Sequence, residues 1–151
     1  MRQATLHAAV NYAALALSIG LVAAPCALAQ APAIVDTHAH IFLGGPRGAD
    51  FGGSLDAAVR RMDQYGIQRA VVMPPPFAPG ISNAYDIEDY GSAAQAHAGR
   101  ILPGGGGGSL NAMIHSTAPE AVTDEVKRNF RARAEQIAAA GAVAFGEIAL
   151  H

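Results

Sequence analysis

Cysteine is nearly absent: Cys26 is the only one in 151 residues. A single thiol excludes an intramolecular disulfide and any zinc site built on cysteine. Positive charge is also sparse. Lysine and arginine total 10 against 12 acids, with no basic run. That leaves no electrostatic footprint for nucleic acid. The one long apolar run, from about Ala8 to Ala24, is interrupted by Asn11, Ser18 and Gly20. It is too short and too broken for a membrane-spanning helix, which needs about 20 consecutive apolar residues. The remaining composition, 51% hydrophobic and 15% charged, is that of a single globular domain.

The apolar run has a different reading. Arg2 precedes it, and Ala27-Leu28-Ala29 closes it before Gln30. This is the order of a secretory signal peptide: charge, hydrophobic stretch, small-residue cleavage site. The expectation is a leader over residues 1–29 and a mature domain over 30–151, periplasmic or secreted and without a stable membrane anchor. Pro25 ahead of Cys26 disfavours a lipoprotein.

After Gln30, short apolar runs alternate with helical patterns. The runs are Ile34–Asp36, Arg69–Met73, Arg100–Leu102 and Ala142–Leu150. Ser54 is placed to cap a helix with Leu55, Val59 and Met62 on one face, ended by Gly66. Asn83 is placed to cap a weaker one containing Gly91. The strongest helix runs from Pro119 or Thr123 to Ala140. Val126, Phe130, Ala134 and Ile137 form its inward stripe, and Lys127, Arg128, Arg131 and Arg133 lie largely outside it. Four strands thus alternate with three helices. Parallel strands need long crossovers, so the pattern predicts an α/β fold, either a doubly wound sheet or the first half of a (β/α)8 barrel. A full barrel takes about 250 residues, roughly twice the length of the segment after Gln30.

In the first run, "IVDTHAHIF", His38 and His40 are two residues apart. On a strand that spacing puts both imidazoles on one face, where they can converge on a metal; on a helix it would splay them. Asp36 shares their parity and is placed to steer a ligating ring. The alternative is a pair of hydrogen-bonded core histidines. Glu147, in "VAFGEIALH", is a carboxylate in an apolar run, costly to bury unless paired or metal-bound. Beside it, Gly146 permits close approach. Functional groups of parallel (β/α) folds gather at the carboxyl ends of strands, where His38, His40 and Glu147 would all lie. Two nitrogens and one oxygen with open positions suit a catalytic metal. The alternative for Glu147 is an ion pair with a loop arginine.

"VDTHAH" on a first strand and "FGEIALH" on a fourth resemble the metal-dependent amidohydrolase superfamily, including its decarboxylase-like branch and the TatD-like nucleases. The resemblance spans Ala33 to His151. It implies a (β/α)8 barrel with one or two divalent ions, zinc being expected, held by His38, His40 and Glu147. It implies hydrolysis of a C–N or ester bond in a small molecule, with decarboxylation as the alternative. The carboxylated lysine of many relatives is excluded, since the only lysine, Lys127, lies on a helix. The family's later histidines and its aspartate base fall beyond residue 151, so the catalytic base is unassigned. The competing reading is a truncated, non-catalytic fragment that associates with itself through exposed barrel edges.

Other features border the same mouth. The glycine tract of "PGGGGGSLN", Pro103 to Asn111, reads as a loop whose N–H groups face an anionic substrate, or as a flexible connection. Asn111 and His115 are placed to reach substrate from it, with a surface turn as the alternative for His115. His151 is placed to extend the cluster or to fray. His97 reads as a surface residue. Phe77, in the stiff "MPPPFAPG" loop, is placed to line a pocket.

Overall fold

The computed structural model describes residues 32–41 and 49–149. The expected signal peptide, Phe42 and His151 lie outside the described residues. Four strands run β1 Ile34–Ala39, β2 Ile67–Val72, β3 Ile101–Gly106 and β4 Ala144–Gly146. Between them lie α1 Phe51–Tyr65, α2 Ile87–Gln95, α3 Leu110–His115 and α4 Asp124–Ala139. A 3-10 turn, Pro119–Ala121, precedes α4. Among the described residues no helix is long and apolar enough to cross a membrane.

Helix α1 starts earlier than the sequence suggests. Asp50, not Ser54, is its cap: the Asp50 carboxylate accepts from the Gly53 N–H at 2.8 Å. Gly66 ends it in the left-handed conformation (φ 69°), returning its N–H to the Met62 carbonyl. Asn83 likewise gives way to Asp86, which forms a reciprocal capping box with Asp89 at the start of α2. Thr123 caps α4 as expected, its hydroxyl accepting from the Val126 N–H at 3.3 Å.

All strands pair in parallel, in the order β1-β2-β3-β4. A doubly wound sheet reverses direction at a switch point; this order has no reversal. Helices α1 and α2 touch each other, and α2 and α4 both pack on β3. The fold is therefore α/β with a four-stranded parallel sheet, a shape compatible with half of a (β/α)8 barrel.

The core lies between sheet and helices. Leu55, Ile87, Tyr90, Leu110 and Ile137 are fully buried, and Val72 rises into them from β2. Burying side chains of this size contributes roughly 1.5–3 kcal/mol each. The Tyr90 hydroxyl shares its proton between the carbonyls of Val72 and Gly104, joining β2 to β3. Burial pushes the phenol of Tyr85 up to about 12, and that of Tyr90 higher still. Of the stripe expected on α4, only Ile137 is fully buried. Helix α3 is just six residues long and leaves Val126 and Phe130 in an open apolar groove of about 530 Å³ with Met113, Ile114 and Val122.

The glycine tract is not a ligand loop. Pro103 to Gly106 belongs to β3, and Gly104, Gly105, Gly106 and Gly107 are buried. A Cβ on Gly105 would stand 2.5 Å from Ile137 Cγ2, and one on Gly107 would stand 2.3 Å from the Pro74 carbonyl oxygen. Glycine is present because neighbouring chain occupies the space a side chain would need. Nor do the N–H groups of Gly106 and Gly107 face outward; that of Gly107 donates to the Gly146 carbonyl at 3.2 Å. The buried Asp86 carboxylate accepts from the N–H groups of Gly106 (2.8 Å) and Ser109 (3.0 Å) and from the Ser109 hydroxyl (2.6 Å). Arg133, expected outside the stripe, turns inward to this cluster. It donates to Ser109 Oγ at 2.8 Å and forms a two-pronged pair with Glu88 at 2.7 and 2.9 Å. The hydrogen bond from Arg133 holds the Glu88 carboxyl below its usual range.

Candidate metal centre

His38 stands near the end of β1, His40 just past it, and Glu147 just past β4. Although two strands, β2 and β3, lie between β1 and β4 in the sheet, the side chains meet. His38 Nε2 lies 3.0 Å from His40 Nε2, and Glu147 Oε2 lies 3.1 Å from His40 Nε2 and 3.3 Å from His38 Nε2. The two rings stand edge to face, 87° apart. His40 is the most sheltered of the three, with 24% of its side chain exposed against 52% for His38 and 40% for Glu147. Of the described histidines, cysteines and carboxylates, only these three form a group able to hold a metal ion.

The hydrogen bonds around the group decide what it can bind. His40 Nδ1 lies 2.9 Å from the Met73 carbonyl, which only accepts, so Nδ1 carries a proton. In the neutral ring Nε2 is then a lone pair aimed at His38 and Glu147. A carboxylate oxygen also has only lone pairs. The three atoms lie within 3.3 Å of one another; with His38 in the tautomer that leaves its Nε2 unprotonated, all three present lone pairs to one point, as a cation requires. Metals bound at about 2.0–2.2 Å space adjacent ligands roughly 3.0–3.5 Å apart, and all three edges lie in that range. The donor set, two imidazoles and a carboxylate open on one side, fits a divalent ion.

The expected roles of the neighbouring residues change. Asp36 does not steer a ring. Its carboxylate accepts from the His38 main-chain N–H at 3.0 Å, and a register irregularity between Asp36 and Ala39 interrupts the strand alternation. The ring of His40 is set instead by the Met73 carbonyl. No sequence signal marks that contact, because every residue has a carbonyl. Gly146 fulfils its expected role of close approach: it packs under Met73, whose Sδ would stand 3.0 Å from an added Cβ. Glu147 is held through its main chain, its N–H donating to the Pro74 carbonyl at 3.2 Å.

Asn111 faces inward rather than toward substrate. It is 1% exposed, its Nδ2 donates to the Phe77 carbonyl at 3.0 Å, and its Oδ1 accepts from the Ala149 N–H at 2.9 Å. His115 closes α3 and bonds the Ala149 carbonyl at 2.8 Å, outside the three-residue group. Phe77 packs edge to face on Tyr85, with centroids 5.4 Å apart. His97 is partly covered and pairs with Asp56 at 2.9 Å. No family model, curated protein or solved structure matches the chain.

Proposed function

We propose that this chain carries a metal-dependent hydrolase centre of the amidohydrolase kind. The observation that carries the reading is the meeting of His38 Nε2, His40 Nε2 and Glu147 Oε2 at the carboxyl ends of β1 and β4. His38, His40 and Glu147 hold one divalent ion, zinc by preference, since two imidazoles with one carboxylate are a common catalytic zinc set. Such an ion supplies Lewis acidity toward a carbonyl and makes water a nucleophile near neutral pH. The protein keeps the His40 lone pair aimed at the ion through Met73, and it leaves the centre open through the exposure of His38. The substrate is a small molecule with a C–N or ester bond, and decarboxylation of a small acid is the alternative in the same family. The acid–base balance, 12 against 10, disfavours nucleic acid. On the sequence signals alone, the domain is half of a (β/α)8 barrel exported behind a signal peptide over 1–29.

A second reading rests on the small size of the donor group. Among the described residues no further histidine or carboxylate joins it, so none of them offers a general base beside the three ligands. The chain then binds metal without turnover. Strands β1 and β4 are the edges of the sheet, with Ile34, Val35 and Phe145 about half exposed, and unpaired edges of this kind favour self-association.

Titration calorimetry with Zn(II) tests the first reading, combined with hydrolysis of aryl esters and anilides. One equivalent is expected to bind, binding is expected to be abolished in the doubly substituted His38→Ala, His40→Ala protein, and Glu147→Ala is expected to weaken it at least about tenfold. Absence of stoichiometric binding, or its survival in the double variant, removes the metal centre. Binding with no turnover of any ester, amide or carboxylic acid selects the second reading.

A further inference from the structure

Asn111 is the only fully buried amide side chain among the described residues, and both ends of it are engaged. It sits at the start of α3, yet it reaches two other segments. Through Nδ2 it holds the Phe77 carbonyl, in the loop after β2; through Oδ1 it holds the Ala149 N–H, two residues past Glu147. Those two segments also touch one another. The Pro74 carbonyl accepts from the Glu147 N–H, the Phe77 N–H donates to the Gly107 carbonyl, and the Gly107 N–H donates to the Gly146 carbonyl. The loop after β2 also contains Met73, whose carbonyl sets the His40 ring. The chain carrying Glu147 and the chain aiming His40 are therefore fastened to the same buried amide.

We infer that Asn111 is a positioning residue for the metal centre. It fixes the distance between Glu147 Oε2 and His40 Nε2 by holding the segments on which both depend. The inference rests on the metal reading above. It departs from the expectation that Asn111 contacts substrate, because the side chain is 1% exposed and both its amide atoms bond main chain. Strand β4 is only three residues long, so the chain after Gly146 depends on polar ties, among them the His115 ring on the Ala149 carbonyl. Of these ties, Asn111 alone also reaches the loop after β2 through its side chain, and Pro74 holds the Glu147 N–H from that loop.

The test uses the full 151-residue chain and Co(II) as probe, reading affinity by titration and ligand geometry from the visible d–d absorption. Asn111→Ala is expected to lose at least about tenfold in Co(II) affinity, the scale of a lost supporting contact, and to shift the absorption bands. Leu110→Ala is the control, since Leu110 is equally buried and adjacent but its apolar side chain makes no hydrogen bond to either segment. It is expected to melt earlier while keeping Co(II) affinity within about threefold. Ala149→Pro removes the N–H that Asn111 accepts without entering the core, so it remains informative if Asn111→Ala does not fold. It is expected to weaken Co(II) at least about fivefold. Wild-type affinity and spectrum in either Asn111→Ala or Ala149→Pro overturns the inference, as does an equal loss in Leu110→Ala. The underlying reading fails separately: if His38→Ala, His40→Ala still binds Co(II) like wild type, there is no such centre to position.

Discussion

Substituting Gly107 by alanine separates a packed glycine tract from a ligand loop. The added Cβ would stand 2.3 Å from the Pro74 carbonyl oxygen and 2.6 Å from that of Pro75, where ordinary contact begins near 3.4 Å. The shortfall is about 1 Å, and it falls on main-chain atoms of two prolines rather than on a side chain able to swing away. Overpacking of this kind costs about 1–3 kcal/mol, and the stiffness of the obstacle places this case at about 2–3 kcal/mol. At roughly 4 °C per kcal/mol for a domain of this size, the melting midpoint falls by about 8–12 °C. A second effect reaches the metal centre. Pushing Pro74 displaces the carbonyl that holds the Glu147 N–H, beside the Met73 carbonyl that aims His40, so Zn(II) affinity is expected to fall about tenfold. Gly91→Ala is the matched control. Its Cβ would first meet Ile87 at 3.6 Å inside α2, so the exchange stabilises by about 0.5–1 kcal/mol. Thermal melts followed by circular dichroism, with urea unfolding at 25 °C, read both variants. A Gly107→Ala protein melting within about 2 °C of wild type would refute the packing argument and return the tract to the loop reading.

Asp50→Ala removes the cap of α1 and is expected to cost about 1 kcal/mol by urea unfolding; no loss would return the helix start to Ser54. Glu88→Gln breaks the pair with Arg133. Because the folded Glu88 carboxyl titrates below its unfolded range, its contribution is present at neutral pH and lost as pH falls through the folded value. The pair is half exposed, so the deficit of Glu88→Gln at pH 7 is under about 1 kcal/mol and vanishes in acid; an equal deficit at pH 3 and pH 7 would contradict the assignment. Tyr85 titrates near 12 when folded, against about 10 unfolded. The stability this provides is complete below pH 10 and drains away as pH rises toward 12. Unfolding followed from pH 9 to 12 is expected to show that decline, and Tyr85→Phe is expected to flatten it; an identical slope in the variant would assign the decline to other groups.

The alternation of strand and helix could be read from hydrophobic periodicity, and each of the four apolar runs contains or overlaps a strand. The boundaries could not. Pro103 to Gly106 has loop composition, yet it pairs with β2 and β4 because only glycine lets Met73 and Ile137 close over it. The nine-residue run from Ala142 shrinks to three paired residues, since apolar character alone does not say how far a ladder extends. Ser54 and Asn83 are good caps by type, but Asp50 and Asp86 win because their carboxylates reach the first free N–H groups. For the site, His38, His40 and Glu147 were legible as a group near the carboxyl ends of the first and fourth strands, although His40 lies just past β1 and the alternation is broken before it. What fixes them was hidden: a main-chain carbonyl at Met73 and a buried amide at Asn111, whose partners lie 33 to 38 residues away in sequence.

The Asp86 carboxylate has a consequence for how this fold could change its chemistry. A glycine-rich turn after a parallel strand is a natural seat for a phosphate, and here the seat is taken by a side chain tethered in the same polypeptide. The tether keeps that carboxylate at a high local concentration, and it already accepts from the Gly106 and Ser109 N–H groups that a phosphate would need. Truncating that one residue to glycine would leave the Gly106 and Ser109 donors without their acceptor and uncap α2 at the same stroke, so one carboxylate joins the end of β3 to the helix before it in the chain.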